Sequence, residues 1–478
     1  MAAVIWFTLQ PDDRIPTKIK QGEIIHVVID AYDMYGEKRH IGGDFFCGVM
    51  YNTKLNKRTS GKVVDFRNGT YSAYFYAGWH GYANITITLW HTREAKRWID
   101  TVYRPNEHHV DWLGHFKMGD RLEKSLCHVI RDGVWKNKCE YRNEHALGNT
   151  VFICDRPATL PCDSLHVVYS VRQSLGEHVD DVLQPEQKFM FERMTDMRFI
   201  SSRPYLATDV FGSPMGVHIE GNSKGNKDVL NSRPPCQPRL PVYVESNGWW
   251  DDHTSWTSLV CRTSHWTNDT IPECLTNKTV YLLGDSTLRQ WHECLTVMMQ
   301  QNVTNNSTNR FFSDTRYNIT LEFIFHAIMI GSHVVNFRDQ HFETDVIDSI
   351  QQCNVVIVLS LSYHFATWSK ESYLERLLCV QRAIQRLQLR CPGVDVIVKS
   401  SHPRDHNTVQ SHIHSSDWTL FNMNRISREI FERIGVGFID VWDMSQSHVA
   451  QNNVHMPIES VIRQQIDIFL SFICSKSH

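Results

Sequence analysis

Five short apolar runs recur through the second half of the chain: Thr279–Leu283, Leu321–Phe325, Val355–Leu361, Val394–Val398 and Val436–Trp442. Between the last three lie stretches with helical spacing. Leu374, Leu377, Val380, Ile384 and Leu387 recur at three- and four-residue steps, and Leu420, Met423, Ile426 and Ile430 do the same. Continuous apolar strands alternating with such helices predict a parallel sheet covered on both faces, joined by right-handed crossovers. Ligands on a sheet of this kind collect outside the carboxyl ends of the strands. A length of 478 residues exceeds one core and predicts two or three domains.

The first hundred residues carry a different period. Val27–Ile29, Phe45–Met50, Thr70–Phe75 and Ala83–Leu89 are short and rich in β-branched and aromatic residues, spaced by Gly42-Gly43, Asn68-Gly69 and Gly81. They predict an antiparallel sandwich of about 100 residues, with Trp79 and Trp90 as core or edge aromatics. Tyr103 to Pro241 is harder to read. It holds Cys127, Cys139, Cys154 and Cys162, a density that suits disulfides better than zinc, since no Cys-x-x-Cys pair occurs. It ends in NSRPPCQPRLP (Asn231–Pro241), where Pro favours extended chain and a hinge is expected.

A formal net charge of −3 at pH 7, with no basic run, removes the electrostatic case for nucleic acid. Glycosylation acceptors of the form Asn-x-Ser/Thr stand at Asn68, Asn84, Asn268, Asn277, Asn302, Asn305, Asn306 and Asn318, and their cluster at Asn302–Thr308 reads as the polar surface loop of a secretory protein. Thirteen cysteines agree; the odd count leaves at least one thiol free or paired between chains, with Cys353 and Cys379 expected as buried thiols. The opening MAAVIWFTL lacks a basic n-region and a cleavage site, and no run of about 18 apolar residues occurs anywhere. The expectation is a protein that is secreted or held in the Golgi or ER lumen, its given chain truncated or differently spliced at the start.

Chemistry concentrates at YLLGDSTL (Tyr281–Leu288). An apolar strand runs into Gly-Asp-Ser, and Thr287–Met299 is helix-compatible, so Ser286 is expected at the carboxyl edge of the sheet with its N–H at a helix N-terminus. Acyl transfer needs both a nucleophilic oxygen and donors aimed at the tetrahedral oxyanion. At the far end, the strand-like VGFIDVW precedes Asn452-Asn453-Val454-His455 and an apolar helix over Ile458–Ile473. A nucleophile after the first strand and a base before the last helix is the layout of a Ser–His hydrolase, with His455 moving the proton.

GDSTLRQW (Gly284–Trp291), LSYHF (Leu361–Phe365) and NNVHMP (Asn452–Pro457) together resemble the PC-esterase domain, a relative of SGNH/GDSL esterases. DAYDMYGEKRHIGGDF (Asp30–Phe45) and VDFRNGTYSAYFYAGWHGYANITITLW (Val64–Trp90) resemble a filamin-type immunoglobulin-like repeat. The chain as a whole resembles the neurexophilin and PC-esterase domain family. That resemblance implies a multidomain fold: an all-β immunoglobulin/filamin-like sandwich over residues 1–102, a cysteine-rich neurexophilin-like extension and linker over 103–241, and an α/β flavodoxin-like, SGNH hydrolase-like three-layer domain over 242–478.

The resemblance also implies roles and exposes departures. SGNH enzymes usually carry Asp-x-x-His, whereas position 452 is Asn. A dyad, an Asn452 triad, and a triad displaced to Asp443 or Asp440 all remain open. Oxyanion donors are expected from the His364 ring and the Gly331 N–H, although Ser362-Tyr363 stand where the family has Gly-Gln. Asp285 is expected to brace the turn, and Arg289, three residues past the serine on the same helical face, is expected either to reach an acidic substrate or to form a surface salt bridge. His402, Asp405, His406, His412 and His414 crowd one stretch without a helical His-x-x-x-His pair, so a solvated loop and no metal are expected. The implied activity is O-acetyl transfer or ester hydrolysis on a glycan or glycoprotein of sialic acid type, with no tightly bound cofactor and acetyl-CoA as donor. The alternative is a catalytically decayed secreted module that binds a cell-surface receptor, as neurexophilins bind neurexins.

Overall fold

The computed structural model describes residues 4–8, 19–33, 37–171, 179, 182–188, 190–191, 215–300, 308–331, 335–406, 408–450 and 453–474. It is a multidomain α/β protein rich in sheet. In the first layer pair the two-residue period decides which side chains go inside. Along the strand Ile24–Tyr32, Ile25, Val27, Ile29 and Ala31 are buried, while their neighbours face outward. The strand Lys57–Asp65 pairs with Phe45–Asn52 through its first half and with Thr70–Tyr76 through its second, so it carries the chain from one layer to the other. Gly48 and Gly61 face each other at the crossing. A Cβ on Gly61 would lie 2.4 Å from the Phe75 ring, so glycine there lets Phe75 fill the core.

Strand pairing crosses both expected domain boundaries. Met215–Glu220 returns to pair antiparallel with Gly81–His91, and Trp250 pairs with Arg58. Val335–Asn336 joins the second sheet through Leu165–Ser170. That second sheet runs Lys138–Arg142, Thr150–Asp155, Arg121–Arg131, Trp112–Met118, Leu165–Ser170 and Val335–Asn336, antiparallel throughout.

The cysteine cluster closes on itself, as Cys127–Cys154 between paired strands and as Cys139–Cys162. Three further disulfides join Cys236–Cys261, Cys274–Cys474 and Cys353–Cys391. Cys353 is therefore not the buried thiol its apolar neighbours suggested; such neighbours suit a disulfide equally. Among the described residues the free thiols are Cys47, Cys294 and Cys379, all buried. Five disulfides are consistent with a secreted or lumenal protein. No helix of the described residues is long and apolar enough to cross a membrane.

The third sheet is ordered Arg310–Asp314, Ile319–Phe325, Thr279–Gly284, Val355–Ser360, Asp395–Lys399 and Gly437–Ile439. The first pair is antiparallel and the rest parallel. Every residue of Val355–Ser360 is buried, because alternate side chains meet different cores. Ile357 and Leu359 join Leu377, Ile384 and Leu420 of the helices Lys370–Arg390 and Asp417–Glu432. Val356 and Val358 join Leu288, Leu295 and Phe469 of Ser286–Met298 and Arg463–Cys474. Thr279–Gly284 lies between Ile319–Phe325 and Val355–Ser360, both later in the chain, so the strand order reverses there, the place where sheets of this kind hold ligands.

Candidate functional site

The Thr279–Gly284 strand ends against Val355–Ser360 so closely that a Cβ on Gly284 would lie 2.6 Å from the Ser360 carbonyl. Asp285 then caps the helix Ser286–Met298. Its Oδ1 accepts from the Thr287 N–H at 2.9 Å and from the Thr287 hydroxyl at 2.7 Å. Ser286 opens the helix, and its N–H is one of the first-turn donors that have no intrahelical partner. His455 Nε2 lies 2.7 Å from Ser286 Oγ, although the two are 169 residues apart in sequence. With the hydroxyl as donor, Nε2 is the accepting nitrogen. Burial, then Arg289 and Arg404, hold this imidazole below its usual value, against Asp285 and Glu293. The imidazole is therefore a neutral acceptor near pH 7, on a residue exposed to solvent.

Beneath the serine lies a buried cation that sequence reading missed. Lys399 ends the Asp395–Lys399 strand, and its Nζ donates to Thr287 Oγ1 at 3.1 Å and to the Ser400 carbonyl at 3.3 Å. Burial pulls this ammonium down to about 8, with the Asp285 charge opposing. The one available signal is a lysine closing the apolar run VIVK.

His364 is held through Nδ1, 2.7 Å from His326 Nε2, and His326 Nδ1 lies 2.9 Å from the Ala327 carbonyl. A carbonyl only accepts, so a proton on His326 Nδ1 satisfies Ala327 and leaves His326 Nε2 to accept from His364 Nδ1. The Ile330 N–H donates to that same nitrogen at 3.3 Å, a bond that instead calls for a lone pair on His364 Nδ1 and its proton on Nε2. Burial pushes His364 down to about 4 and His326 well below its usual value, so both are neutral. With its proton on Nε2 the His364 ring keeps the N–H expected of an oxyanion donor, and with it on Nδ1 it presents a lone pair instead. The Gly331 N–H is also taken. It donates to Ser170 Oγ at 2.8 Å, and that hydroxyl donates to the Gly331 carbonyl at 2.9 Å, because the second sheet ends against this loop.

The displaced-triad carboxylates point elsewhere. Asp443 accepts from the Asn247 N–H at 2.9 Å and lies 3.9 Å from the Lys62 ammonium, facing the first layer pair. Asp440 pairs with Arg428 at 3.0 Å. Among the described residues no carboxylate is hydrogen-bonded to His455, and Asn452 lies outside them. Arg289 sits beside His455 with its Nε 3.4 Å from Glu293.

The stretch expected as a solvated loop is folded inward. His402, His406, His412 and His414 are buried, and only Asp405 is exposed. His406 faces Asp417 at 3.3 Å, and His414 bonds the Tyr103 hydroxyl. Histidine carries no burial signal in sequence, and this packing is supplied by distant elements. One cluster of ligand-type side chains among the described residues is His108, Asp111 and His128. Its two rings stack at 4.0 Å with an interplanar angle of 20°, so their in-plane lone pairs run side by side instead of converging. His108 Nε2 is instead 2.6 Å from Asp111.

Of the acceptor asparagines, Asn68, Asn268, Asn277 and Asn318 are exposed and Asn84 is half-buried; Asn302, Asn305 and Asn306 lie outside the described residues. With the site in place, comparison with known families adds two matches. Residues 256–474 match the model for the NXPE family member 4-like, C-terminal domain, and residues 8–182 match that for neurexophilin. These matches support an NXPE/neurexophilin-type family. The NXPE-like segment contains both Ser286 and His455, and the neurexophilin-like segment holds most of the first two sheets.

Proposed function

We propose that this protein is a serine-dependent glycan O-acyl transferase or esterase. The reading places the site on a flavodoxin-like, SGNH hydrolase-like domain and carries an immunoglobulin/filamin-like sandwich ahead of it. The observation that carries it is the 2.7 Å bond between Ser286 Oγ and His455 Nε2 at the end of the central strand. Ser286 Oγ attacks the carbonyl carbon of an acetyl ester or thioester while its proton passes to His455 Nε2. The oxyanion forms in front of the Ser286 N–H, where the helix dipole favours negative charge. Collapse breaks the bond to the leaving oxygen or sulfur, which takes the proton from His455. A sugar hydroxyl or water then attacks the acetyl-serine, giving its proton to His455, and His455 returns it to Ser286.

Two guanidiniums and two carboxylates surround His455, and the guanidiniums are the groups that would meet an acidic acceptor. Arg289 and Arg404 both act on its imidazole, which suits a carboxylate-bearing glycan of sialic acid type. Acetyl-CoA is the proposed donor, used as a substrate and not held as a resident cofactor. The Golgi or ER lumen is the proposed compartment.

A second reading, a receptor-binding module, is favoured by the neurexophilin match over residues 8–182. Purified protein and its Ser286→Ala variant, treated in parallel with a fluorophosphonate probe and a radiolabelled acetyl donor, separate the two. Label that is lost with Ser286 supports the enzyme, and the reagent that reacts distinguishes esterase from transferase. Folded wild-type protein that takes neither label supports the binding module.

A further inference from the structure

We propose that Gln290 and His402 are positioning residues that clamp the backbone on either side of His455 and hold its imidazole against Ser286. The inference deepens the proposed function and rests on Ser286 and His455 acting as nucleophile and base. The segment from Asn453 to Pro457 has no helix or strand to hold it, so its backbone groups must find other partners. Two buried side chains supply them. Gln290 Nε2 donates to the Met456 carbonyl at 2.8 Å. His402 Nε2 lies 3.1 Å from the Asn453 carbonyl. The two carbonyls bracket Val454 and His455.

The chemistry of each clamp is fixed by its surroundings. Because a carbonyl only accepts, the proton of neutral His402 is on Nε2. Burial pulls His402 down to about 3, so it stays neutral and keeps that tautomer through the working pH range. Gln290 lies one turn past Ser286 on the same helix, about 6 Å along its axis. The nucleophile and the tether of its base therefore move as one body. That helix is itself anchored, since Trp291 Nε1 donates to Gln465 Oε1 at 2.8 Å. Gln290 Oε1 and His402 Nδ1 are both buried without a hydrogen-bond partner among the described residues. Each side chain thus retains a costly polar atom while making one directed bond to the His455 segment.

In a Ser-His-Asp site a carboxylate orients the imidazole from its far nitrogen. Here, among the described residues, orientation comes through the main chain instead. A misplacement of about 1 Å at a reacting group costs on the order of a hundredfold in rate, so loosening this segment should be visible.

The test uses the full chain and the second-order rate of fluorophosphonate labelling at Ser286. Gln290→Met, similar in size but without the donor, should label at least about tenfold more slowly. His402→Gln, which keeps a donor at similar reach, should stay within about threefold of wild type. In a His455→Ala background Gln290→Met should cause no further loss, because its effect passes through His455. Amide hydrogen exchange at residues 453–456 should accelerate in Gln290→Met whether or not the protein is active. Unchanged exchange overturns the clamp, as does a wild-type labelling rate in Gln290→Met or a deficit that persists without His455. Wild-type protein that never labels overturns the catalytic reading and with it the clamp's role, and that result is distinct from normal labelling with an unaffected variant.

Discussion

The buried Lys399 ammonium donates to the Thr287 hydroxyl, and that hydroxyl donates to Asp285, directly beneath the helix that Ser286 begins. One hydroxyl thus links a buried cation to a buried carboxylate. Thr287→Val keeps the volume and removes the link, leaving the ammonium one partner short. The expected cost is about 1–3 kcal/mol in urea unfolding, with an unchanged m-value. A variant as stable as wild type would show that the link contributes nothing.

Asp443 should be dispensable for chemistry. Its carboxylate bonds Asn247 and faces Lys62, and neither touches His455. Asp443→Asn should therefore label with fluorophosphonate within about twofold of wild type, while His455→Ala should lose about three orders of magnitude. An Asp443→Asn loss as large as that of His455→Ala would restore the displaced triad.

The acid limb of the rate profile should report His455. The base works only when neutral, so activity rises with pH through the His455 pKa. Burial and Arg289 hold that pKa below the ordinary 6.5, and the limb should lie below it. Removing the positive charge in Arg289→Gln relieves the repulsion of the imidazolium, raises the pKa and moves the limb to higher pH. A kcat/KM profile of the two proteins reads this shift directly, and a shift to lower pH would contradict the assignment.

Acid should destabilise the fold well before carboxylates titrate. Burial pushes His402 to about 3 and His292 to about 4, against 6.5 in the unfolded chain. Between these values the unfolded state binds protons that the native state refuses, so stability falls as pH drops below 6.5. At pH 5 each contributes a loss of about 2 kcal/mol relative to pH 8. Urea midpoints across pH 8 to 5 should decline accordingly, and His402→Gln should flatten part of the decline.

The parallel sheet was legible because a strand buried on both faces must be apolar throughout, as Val355–Ser360 is. The meeting of Ser286 with His455 could be anticipated from a strand-to-helix turn and a histidine before the last helix. What sequence could not convey was pairing at a distance. Met215–Glu220 gives no local sign that it belongs beside Gly81–His91, and the half-exposed edge strand Arg310–Asp314 is not continuously apolar. The inward packing of His402 and His406 was unreadable for a related reason. Their burial depends on Asn453 and Asp417, partners that local composition does not mark.

The strands that cross the expected boundaries determine how the protein can be taken apart. Cutting near Pro241 would leave Gly248–Trp250 without Arg58, Val335–Asn336 without Leu165–Ser170, and Gly331 without the Ser170 hydroxyl. The loss at Gly331 opens unpaired backbone next to Ile330, whose N–H contacts His364. The half that holds Ser286 and His455, expressed alone, would carry raw sheet edges, the surfaces on which chains aggregate. The half that holds Ser286 and His455 is therefore expected to need the β-rich half in order to stay soluble and in shape.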